Sequence, residues 1–496
     1  MLSPRLRQWL PEIAFFVVTL VLIVTWVVAV PRWAVPDEPA HVYKAYGTAH
    51  GQLLGHAISS ESSNVRRFDG PATLGLGDLE CYFFRPDVPA GCDIGFDPNL
   101  VSSAARYPPY YYAVVGGAAA VVGQADSVRS YRLASSLLCA ASLAAAFALI
   151  RRSKARALAP LMLIALTPMA LFMMGSVNPN ATEIAGFVAV WALLMRLCTD
   201  ERISNRLTLA TSITAGALIM SRPISAVWLA CVAIVVLIAA APERRRELFR
   251  RPVLIRLLAP IAFSAIASIG WLRFANFEVA DKRVATNLKL GEVLRMSVDA
   301  WPLYYRQTIG VLGWLDTELP SVTYIGWTVA MMSIAAIYLF RSTARNWVAL
   351  AALVGAWLAL PLAINATTAA DAGLSFQGRY SLPILAGLGF LPMLDSRHTR
   401  APRPAAWLMY AALALITVAE VAGFWQMLRR FSVGAHGKIW LVGDLPWHPG
   451  LPPMLLIAVN AIVMMALSVG CVVVCRRRDP ALTDMHHGHG AGLPAS

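Results

Sequence analysis

About twelve apolar segments, each roughly as long as a membrane is thick, limit what this sequence can fold into. Hydrophobic residues make up 58% of the chain and charged residues 14%. Inside lipid only helices and closed barrels satisfy their own backbone hydrogen bonds. The sequence therefore predicts an all-α polytopic membrane protein. The predicted spans cover residues 13–30, 131–150, 157–174, 181–198, 207–220, 223–241, 253–271, 322–340, 347–364, 381–394, 405–426 and 451–475.

The basic residues of the connecting segments predict the orientation of these spans. If residues 109–123 lie on the outer surface without crossing, the arginine clusters, such as 151–156 and 244–251, all face the cytoplasm. Both termini are then cytoplasmic, and residues 13–30 form a retained first span rather than a cleaved signal peptide. The net charge of +14 comes from these short clusters, so membrane lipids and no nucleic acid are the expected partners.

We expect one transmembrane domain over residues 1–480, followed by a disordered cytoplasmic tail over 481–496. Two large extracytoplasmic loops are predicted, at 31–107 and 272–321. The first is too long to be a simple connection, and we expect it to fold and to carry juxtamembrane helices. Cys81 and Cys92 both lie in this loop, where an oxidising compartment favours a disulfide between them.

Polar motifs collect at the outer ends of the predicted spans. This arrangement did not enter the choice of topology, so it independently indicates a single extracytoplasmic site. The spans 207–220 and 381–394 are short. This suggests that the loop after the first of them and the loop before the second dip into a cavity. The motifs cover residues 36–41, 106–112, 176–180, 221–223, 313–320 and 377–380.

Together with Arg132, all of these motifs except 221–223 resemble those of a widespread family of bacterial polytopic membrane proteins of unknown function, over roughly residues 20–475. That family resembles the GT-C superfamily of membrane glycosyltransferases, which use polyprenyl-phosphate sugars. The order of an acidic pair, a histidine, a double proline and an arginine is similar to that of protein O-mannosyltransferases and lipid A aminoarabinose transferases. The resemblance implies a GT-C-like fold and glycosyl transfer.

Carried over residue by residue, the resemblance makes Asp37 the catalytic carboxylate, Glu38 its acidic neighbour and His41 the histidine that follows. The family usually has histidine where this chain has Tyr107, which shifts any phosphate-binding role there toward Arg106. The motif at residues 176–180 also departs from the family, because Asn180 replaces an aspartate.

Glycosyl transfer needs a base for the acceptor hydroxyl and positive charge for the leaving phosphate. Asp37 is the candidate base, although it could simply be a polar cap at a helix end. Arg379 is the first candidate for the phosphate, because a guanidinium can bind it with two hydrogen bonds. A lone arginine there could also only reach toward the interface. Arg222 and Arg106 are second candidates and Lys44 is a third.

The remaining candidates for substrate binding are less specific. Trp314 and Asp316 could line a sugar pocket, while Trp314 fits an interfacial aromatic belt equally well. Asp37 and Glu38 could share a divalent cation, but no further ligand cluster supports a tight site, so metal dependence stays open. The other candidates are Asn178, Gln377 and Tyr380.

The sequence therefore predicts a glycosyltransferase of the bacterial plasma membrane. It would move a sugar from a polyprenyl-phosphate donor to an envelope glycan, glycolipid or protein on the outer face, with inversion. A transporter or flippase of a lipid-linked saccharide is the alternative. A transporter needs ionisable groups near the bilayer midplane. Only Glu183 and Glu420 come near that depth, and neither has an evident basic partner in the sequence. A structural subunit is a third option.

Overall fold

A computed structural model of the chain describes residues 4–58, 65–76, 79–91, 99–276, 288–340, 342–395 and 403–476. Apolar runs form the long helices, and prolines and polar caps set their ends. Helix α7, for example, begins at Pro179 after Asn178, whose side chain accepts a hydrogen bond from the Asn180 N–H.

The described helices and strands have the following bounds. The α-helices are α1 (Pro4–Ala29), α2 (Glu38–Ala49), α3 (Leu79–Tyr82), α4 (Tyr110–Val121), α5 (Val128–Arg151), α6 (Pro168–Met174), α7 (Pro179–Thr199), α8 (Asn205–Ser221), α9 (Ser225–Ala239), α10 (Pro242–Leu248), α11 (Arg251–Phe274), α12 (Leu290–Asp299), α13 (Trp301–Ile309), α14 (Ser321–Leu339), α15 (Ala344–Ala372), α16 (Leu382–Leu385), α17 (Gly387–Phe390), α18 (Arg403–Val433) and α19 (Pro453–Arg476). The 3₁₀ helices are Ala72–Leu74, Arg156–Ala165, Gly378–Ser381 and Leu391–Leu394, and the strands are β1 (His56–Ala57), β2 (Arg66–Phe68), β3 (Leu100–Ser102), β4 (Val311–Leu312) and β5 (Thr317–Glu318).

Eight helices in the described part of the chain are long and apolar enough to cross a membrane. They are α1, α5, α7, α11, α14, α15, α18 and α19, and each coincides with a predicted span. The 3₁₀ helix Arg156–Ala165 and α6 would together make a ninth span, but the two are bent by 79°. The all-α polytopic membrane fold is confirmed.

The other predicted spans differ from the expectation of about twelve uninterrupted helices. Helices α8 and α9 have 17 and 15 residues, so each is shorter than a usual span. The segment predicted at 381–394 is a series of short helical pieces with Pro383 and Pro392 at their starts. Residues 381–393 are all buried inside the protein, where broken helices are tolerated because neighbouring protein replaces lipid.

The segment between α1 and α5 is folded and carries short helices, as predicted. Its strands form an antiparallel sheet in the order β1-β2-β3, with His56 opposite Arg67 and Phe68 opposite Leu100. The sheet and helices α2 and α4 share a small aromatic core around Trp33, which is fully buried.

Three predictions, about the disulfide, the C-terminal tail and the second large loop, fall wholly or partly on residues that the structure does not describe. Cys81 is buried, but Cys92 lies outside the described residues, so the disulfide between them stays a prediction. The tail at 481–496 lies outside them as well. Of the second predicted loop, at 272–321, the described part includes α12, α13 and the β4–β5 hairpin.

Candidate functional site

A polar cavity of about 280 Å³ lies where the ends of several helices meet. Five of the six polar motifs singled out in the sequence contribute to its wall, although they are far apart in the chain. The cavity therefore brings together most of the predicted site. Its lining residues are Asp37, His41, Ser103, Ala104, Tyr107, Asn178, Pro179, Arg222, Gln377, Arg379 and Tyr380.

Asp37 stands at the N-cap of α2 in the left-handed backbone region, with φ 64° and ψ −2°. Few residues other than glycine adopt this conformation, and aspartate and asparagine are among the most tolerant. Its side chain forms no capping hydrogen bond to a described residue. Instead, Oδ2 accepts a hydrogen bond from Arg379 Nη2 at 3.0 Å, and the side chain stays 47% exposed. The carboxylate is therefore accessible from the cavity.

Arg379 belongs to the 3₁₀ turn Gly378–Ser381, and its side chain is 1% exposed. Nε and Nη1 are buried and have no hydrogen-bond partner among the described residues. Buried N–H groups without acceptors are unfavourable, particularly on a cation, so this guanidinium is well suited to receive an anion. Gly378 allows the turn to pack tightly, because an added Cβ would lie 2.0 Å from the carbonyl oxygen of Tyr304 on α13.

Arg222, at the end of α8, supplies a second positive charge. Its guanidinium carbon lies 4.5 Å from the centre of the Tyr380 ring, which is also 5.5 Å from the guanidinium carbon of Arg379. Arg222 Nη1 donates to the buried carboxylate of Glu183, and Ser225 Oγ donates to the same carboxylate at 2.6 Å. The sequence did not reveal this basic partner of Glu183, because the two residues lie on different helices.

Burial favours the neutral form of two other groups in the cavity. Burial lowers the pKa of His41 to about 4; Asp37 opposes this shift, while Arg222 and Arg379 reinforce it. The imidazole Nδ1 lies 2.8 Å from the hydroxyl of Tyr112. Burial also raises the pKa of Tyr107, against the influence of Arg222. The site thus combines one accessible carboxylate with two guanidiniums.

Glu38 does not face this cavity, although it is adjacent to Asp37 in sequence. Its carboxylate accepts from Arg132 Nε at 2.8 Å and Nη2 at 2.6 Å, and from the Val177 N–H at 3.2 Å. Arg132 also donates to the carbonyls of Val30 and Pro31, at 2.7 and 2.8 Å. This buried pair ties the end of α1 to α2, α5 and the segment before α7.

Trp314 and Asp316 are not among the residues that line the cavity in the described structure. The indole of Trp314 donates to the carbonyl of Trp33 at 2.9 Å, and its ring meets Phe83 edge-on at 4.6 Å. Asp316 Oδ2 lies 3.4 Å from Arg430 Nη2. In the described structure Trp314 joins the β4–β5 hairpin to the segments around Trp33 and Phe83, and Asp316 joins the same hairpin to α18.

Lys44 and Arg106 each bind backbone carbonyl groups. Lys44 Nζ donates to the carbonyls of Leu53 and Ala105, the latter at 2.6 Å, and burial lowers the pKa of Lys44 to about 7. Arg106 Nη1 donates to the carbonyl of Asn276. Neither is among the cavity-lining residues that the structure describes.

Within the described ranges, no group of three or more His, Cys, Asp or Glu side chains is arranged to hold a metal ion. Asp37 and Glu38, which the sequence suggested could share a cation, bind different arginines instead. Sequence reasoning missed Ser103 and Ala104 as lining residues. Their position just before the motif that begins at Arg106 was the only available signal.

Comparisons with known proteins place this chain among membrane proteins. Similar solved structures include ArnT from Cupriavidus metallidurans in the apo state (13% identity, TM-score 0.46, 93% of this chain and 76% of that chain) and the same protein bound to undecaprenyl phosphate (TM-score 0.42). Another is the oligosaccharyltransferase AglB from Archaeoglobus fulgidus with an inhibitory peptide and a dolichol-phosphate (11% identity, TM-score 0.35, 95% of this chain and 56% of that chain). No curated protein matches the chain. The family model described as a predicted membrane protein matches residues 20–388, and the chain therefore belongs to the DUF2142 family.

Proposed function

We propose that this protein is a membrane glycosyltransferase that takes a sugar from a polyprenyl-phosphate donor. The observation that carries the proposal is the arrangement of Arg379. Its buried Nε and Nη1 groups have no partner among the described residues, and they belong to the same guanidinium that binds Asp37. If the phosphate of the donor accepted hydrogen bonds from these groups, the anomeric carbon of its sugar would lie close to the Asp37 carboxylate, which could serve as the base.

In the proposed reaction, an acceptor hydroxyl attacks the anomeric carbon and gives its proton to Asp37. The new carbon–oxygen bond forms as the bond from the anomeric carbon to the phosphate oxygen breaks. That electron pair stays with the departing polyprenyl phosphate, and the anomeric centre inverts. Arg379, with Arg222 as the second cation, would stabilise the negative charge that develops on the leaving group.

Between the two adjacent carboxylates, we favour Asp37 as the base. Asp37 is half-exposed and borders the cavity, whereas Glu38 is completely buried and holds Arg132 with both oxygens. A base must come within hydrogen-bonding distance of the proton that it removes. Glu38 then acts as a positioning residue that fixes the first turn of α2.

An apolar groove beside Arg379 suits the lipid part of such a donor. It has a volume of about 310 Å³, and it is formed by helices α13 to α17. Ile384 and Leu385 in its wall follow Arg379 by only five and six residues, through the end of the 3₁₀ turn and into α16. A phosphate bound at Arg379 could therefore extend its isoprenoid chain into this groove.

The test is a transfer assay with the purified protein in nanodiscs. Radiolabelled polyprenyl-phosphate sugars and an envelope extract would be supplied to the wild type and to Asp37→Asn, Arg379→Ala and the control Asp69→Asn. Asp69 is an exposed aspartate of the same loop, paired with His56. We expect Asp37→Asn to lower the transfer rate about 10²–10⁴-fold while donor binding persists. Arg379→Ala should weaken donor binding, and Asp69→Asn should behave like the wild type.

Donor binding without transfer of any sugar, with all three variants behaving alike, would contradict the proposal. That outcome would favour a transporter or flippase of a lipid-linked saccharide. Movement of a labelled donor across proteoliposomes would then be measured with the same variants.

A further inference from the structure

A second and larger cavity, of about 610 Å³, opens at the same end of the helical bundle as the first. Four stretches of chain contribute to its wall: the end of α1, the segment before α4 through Thr73, Tyr82 and Ala90, the turn before α5 with its first helical residues, and the connection from α18 to α19. Its charged, polar and aromatic lining includes Arg32, Asp126, Ser127, Arg129, Arg132 and Trp447. The volume lies within the range of about 300–1,000 Å³ typical of ligand pockets.

The ion pair between Glu38 and Arg132 stands between the two cavities. Arg132 forms part of the wall of the larger cavity, and Glu38 is adjacent to Asp37, which lines the smaller one. A molecule in the larger cavity would thus lie close to the proposed reaction without occupying the cavity that holds Asp37. Such a position suits a part of the substrate that does not react.

Trp447 offers a rigid aromatic surface in this cavity. It lies between Pro446 and His448-Pro449, so proline restricts the backbone on both sides. The carbonyl oxygen of Pro446 packs so closely against Gly91 that a Cβ there would lie 2.0 Å away. The Trp447 ring is half-buried and rests edge-on against Phe431 at 6.5 Å. An aromatic face held in place in this way can stack on the apolar face of a sugar ring.

Polar groups of both kinds surround this aromatic surface. Asp126 and Arg129 are exposed, and their side chains form no ion pair or hydrogen bond with any residue that the structure describes. Gln124 and Ser127 add an amide and a hydroxyl on the same side. Together they provide donors and acceptors over a short distance, which a ligand with many hydroxyl groups can use simultaneously.

We propose that this cavity binds a saccharide, as a subsite for the non-reacting sugars of the acceptor. The role as an acceptor subsite rests on the proposed function, whereas the binding of saccharide does not. Trp447 stacks on a sugar ring, while Asp126 and Arg129 bind its hydroxyls. Arg32 and Arg129 outnumber the single carboxylate of Asp126, so an acidic saccharide binds more tightly than a neutral one of the same length.

The test measures saccharide binding directly, in a background that cannot transfer. Asp37→Asn protein in nanodiscs would be titrated calorimetrically with mono- to hexasaccharides of mannose, arabinose and a uronic acid. Binding of a glycolipid in the nanodisc membrane would be measured separately. Trp447→Ala and Arg129→Gln would be added one at a time. The matched control is Trp440→Ala, an exposed tryptophan of the same connection that is not part of the described cavity wall.

We expect saccharide binding that weakens roughly tenfold in Trp447→Ala and in Arg129→Gln, but not in Trp440→Ala. Binding of soluble saccharides identifies a free glycan as the ligand, and binding of the glycolipid alone identifies a lipid-anchored one. The absence of saccharide binding, or binding unchanged in both Trp447→Ala and Arg129→Gln, would overturn the proposal. Because Arg129 is exposed, its variant is informative even if Trp447→Ala does not fold. If the wild-type protein transferred no sugar in the separate transfer assay, that result would contradict the proposed function but not the binding of saccharide in this cavity.

Discussion

Replacing Glu38 by glutamine should destabilise the protein far more than replacing the neighbouring Asp37 by asparagine. The change keeps the size of the side chain but removes the charge that neutralises Arg132. Arg132 donates to both carboxylate oxygens, at 2.8 and 2.6 Å, in a site where both side chains are at most 2% exposed. Glutamine can accept only one of these hydrogen bonds, at its carbonyl oxygen, and its NH₂ group sets a donor against the guanidinium. Breaking such a buried pair costs about 3–5 kcal/mol, because a charge remains without its partner.

The free energy of unfolding would be measured by SDS titration of the protein in mixed micelles, followed by tryptophan fluorescence. Glu318→Gln is the control, because its pair with Arg306 has a similar distance, 2.8 Å, but side chains that are 58% and 40% exposed. It should cost no more than about 1 kcal/mol. A double variant with Glu38→Gln and Arg132→Met should recover part of the lost stability, since it removes the unpaired charge as well.

A loss below about 1 kcal/mol in Glu38→Gln would refute this reasoning, since it would place the pair among weak surface interactions. A stable Glu38→Gln protein that bound donor but no longer transferred sugar would go further. It would make Glu38 the base and leave Asp37 as its neighbour.

Three further outcomes follow from the geometry of the site. The pKa of His41 is lowered to about 4 in the fold against 6.5 when unfolded, so the unfolded chain binds the additional proton between these values. The free energy of unfolding should therefore fall by up to roughly 3 kcal/mol from pH 6.5 to pH 4, and His41→Gln should remove this slope in the same SDS titration. Gly378→Ala should cost about 1–3 kcal/mol and weaken donor binding, because its Cβ would collide with the Tyr304 carbonyl. Gly355→Ala is its control, since no described atom lies within 4 Å of an added Cβ. Ala335→Trp should fill the apolar groove and raise the KM for long isoprenoid donors more than for short ones, and equal effects on both would contradict a lipid role for the groove.

The sequence predicted the long spans well, because an uninterrupted apolar helix has a clear signature. It could not distinguish helices that face lipid from apolar segments enclosed by protein. Residues 381–393 are as hydrophobic as a span, yet they are buried and broken by prolines. Hydropathy depends on composition alone, whereas packing determines whether an apolar segment contacts lipid or protein.

The candidate site illustrates the same limit for single residues. Asp37, Arg222 and Arg379 share a cavity because polar side chains at the helix ends on one side of a bundle avoid lipid and therefore collect together. The different roles of Asp37 and Glu38 could not be inferred from the sequence, since Arg132, which binds Glu38, lies 94 residues further along the chain. Likewise, nothing local indicated that Trp314 would donate to the carbonyl of Trp33, 281 residues earlier in the chain.

The left-handed backbone of Asp37 has a consequence for how relatives of this protein could lose activity. Glycine and asparagine also adopt this conformation, and each is one nucleotide change away from an aspartate codon. Either substitution would remove the carboxylate and leave the turn intact. A relative with glycine or asparagine here would therefore be a well-folded protein without the base, able to keep its lipid and saccharide contacts for another purpose. A relative with a bulky or β-branched residue at this position would have to form the turn differently.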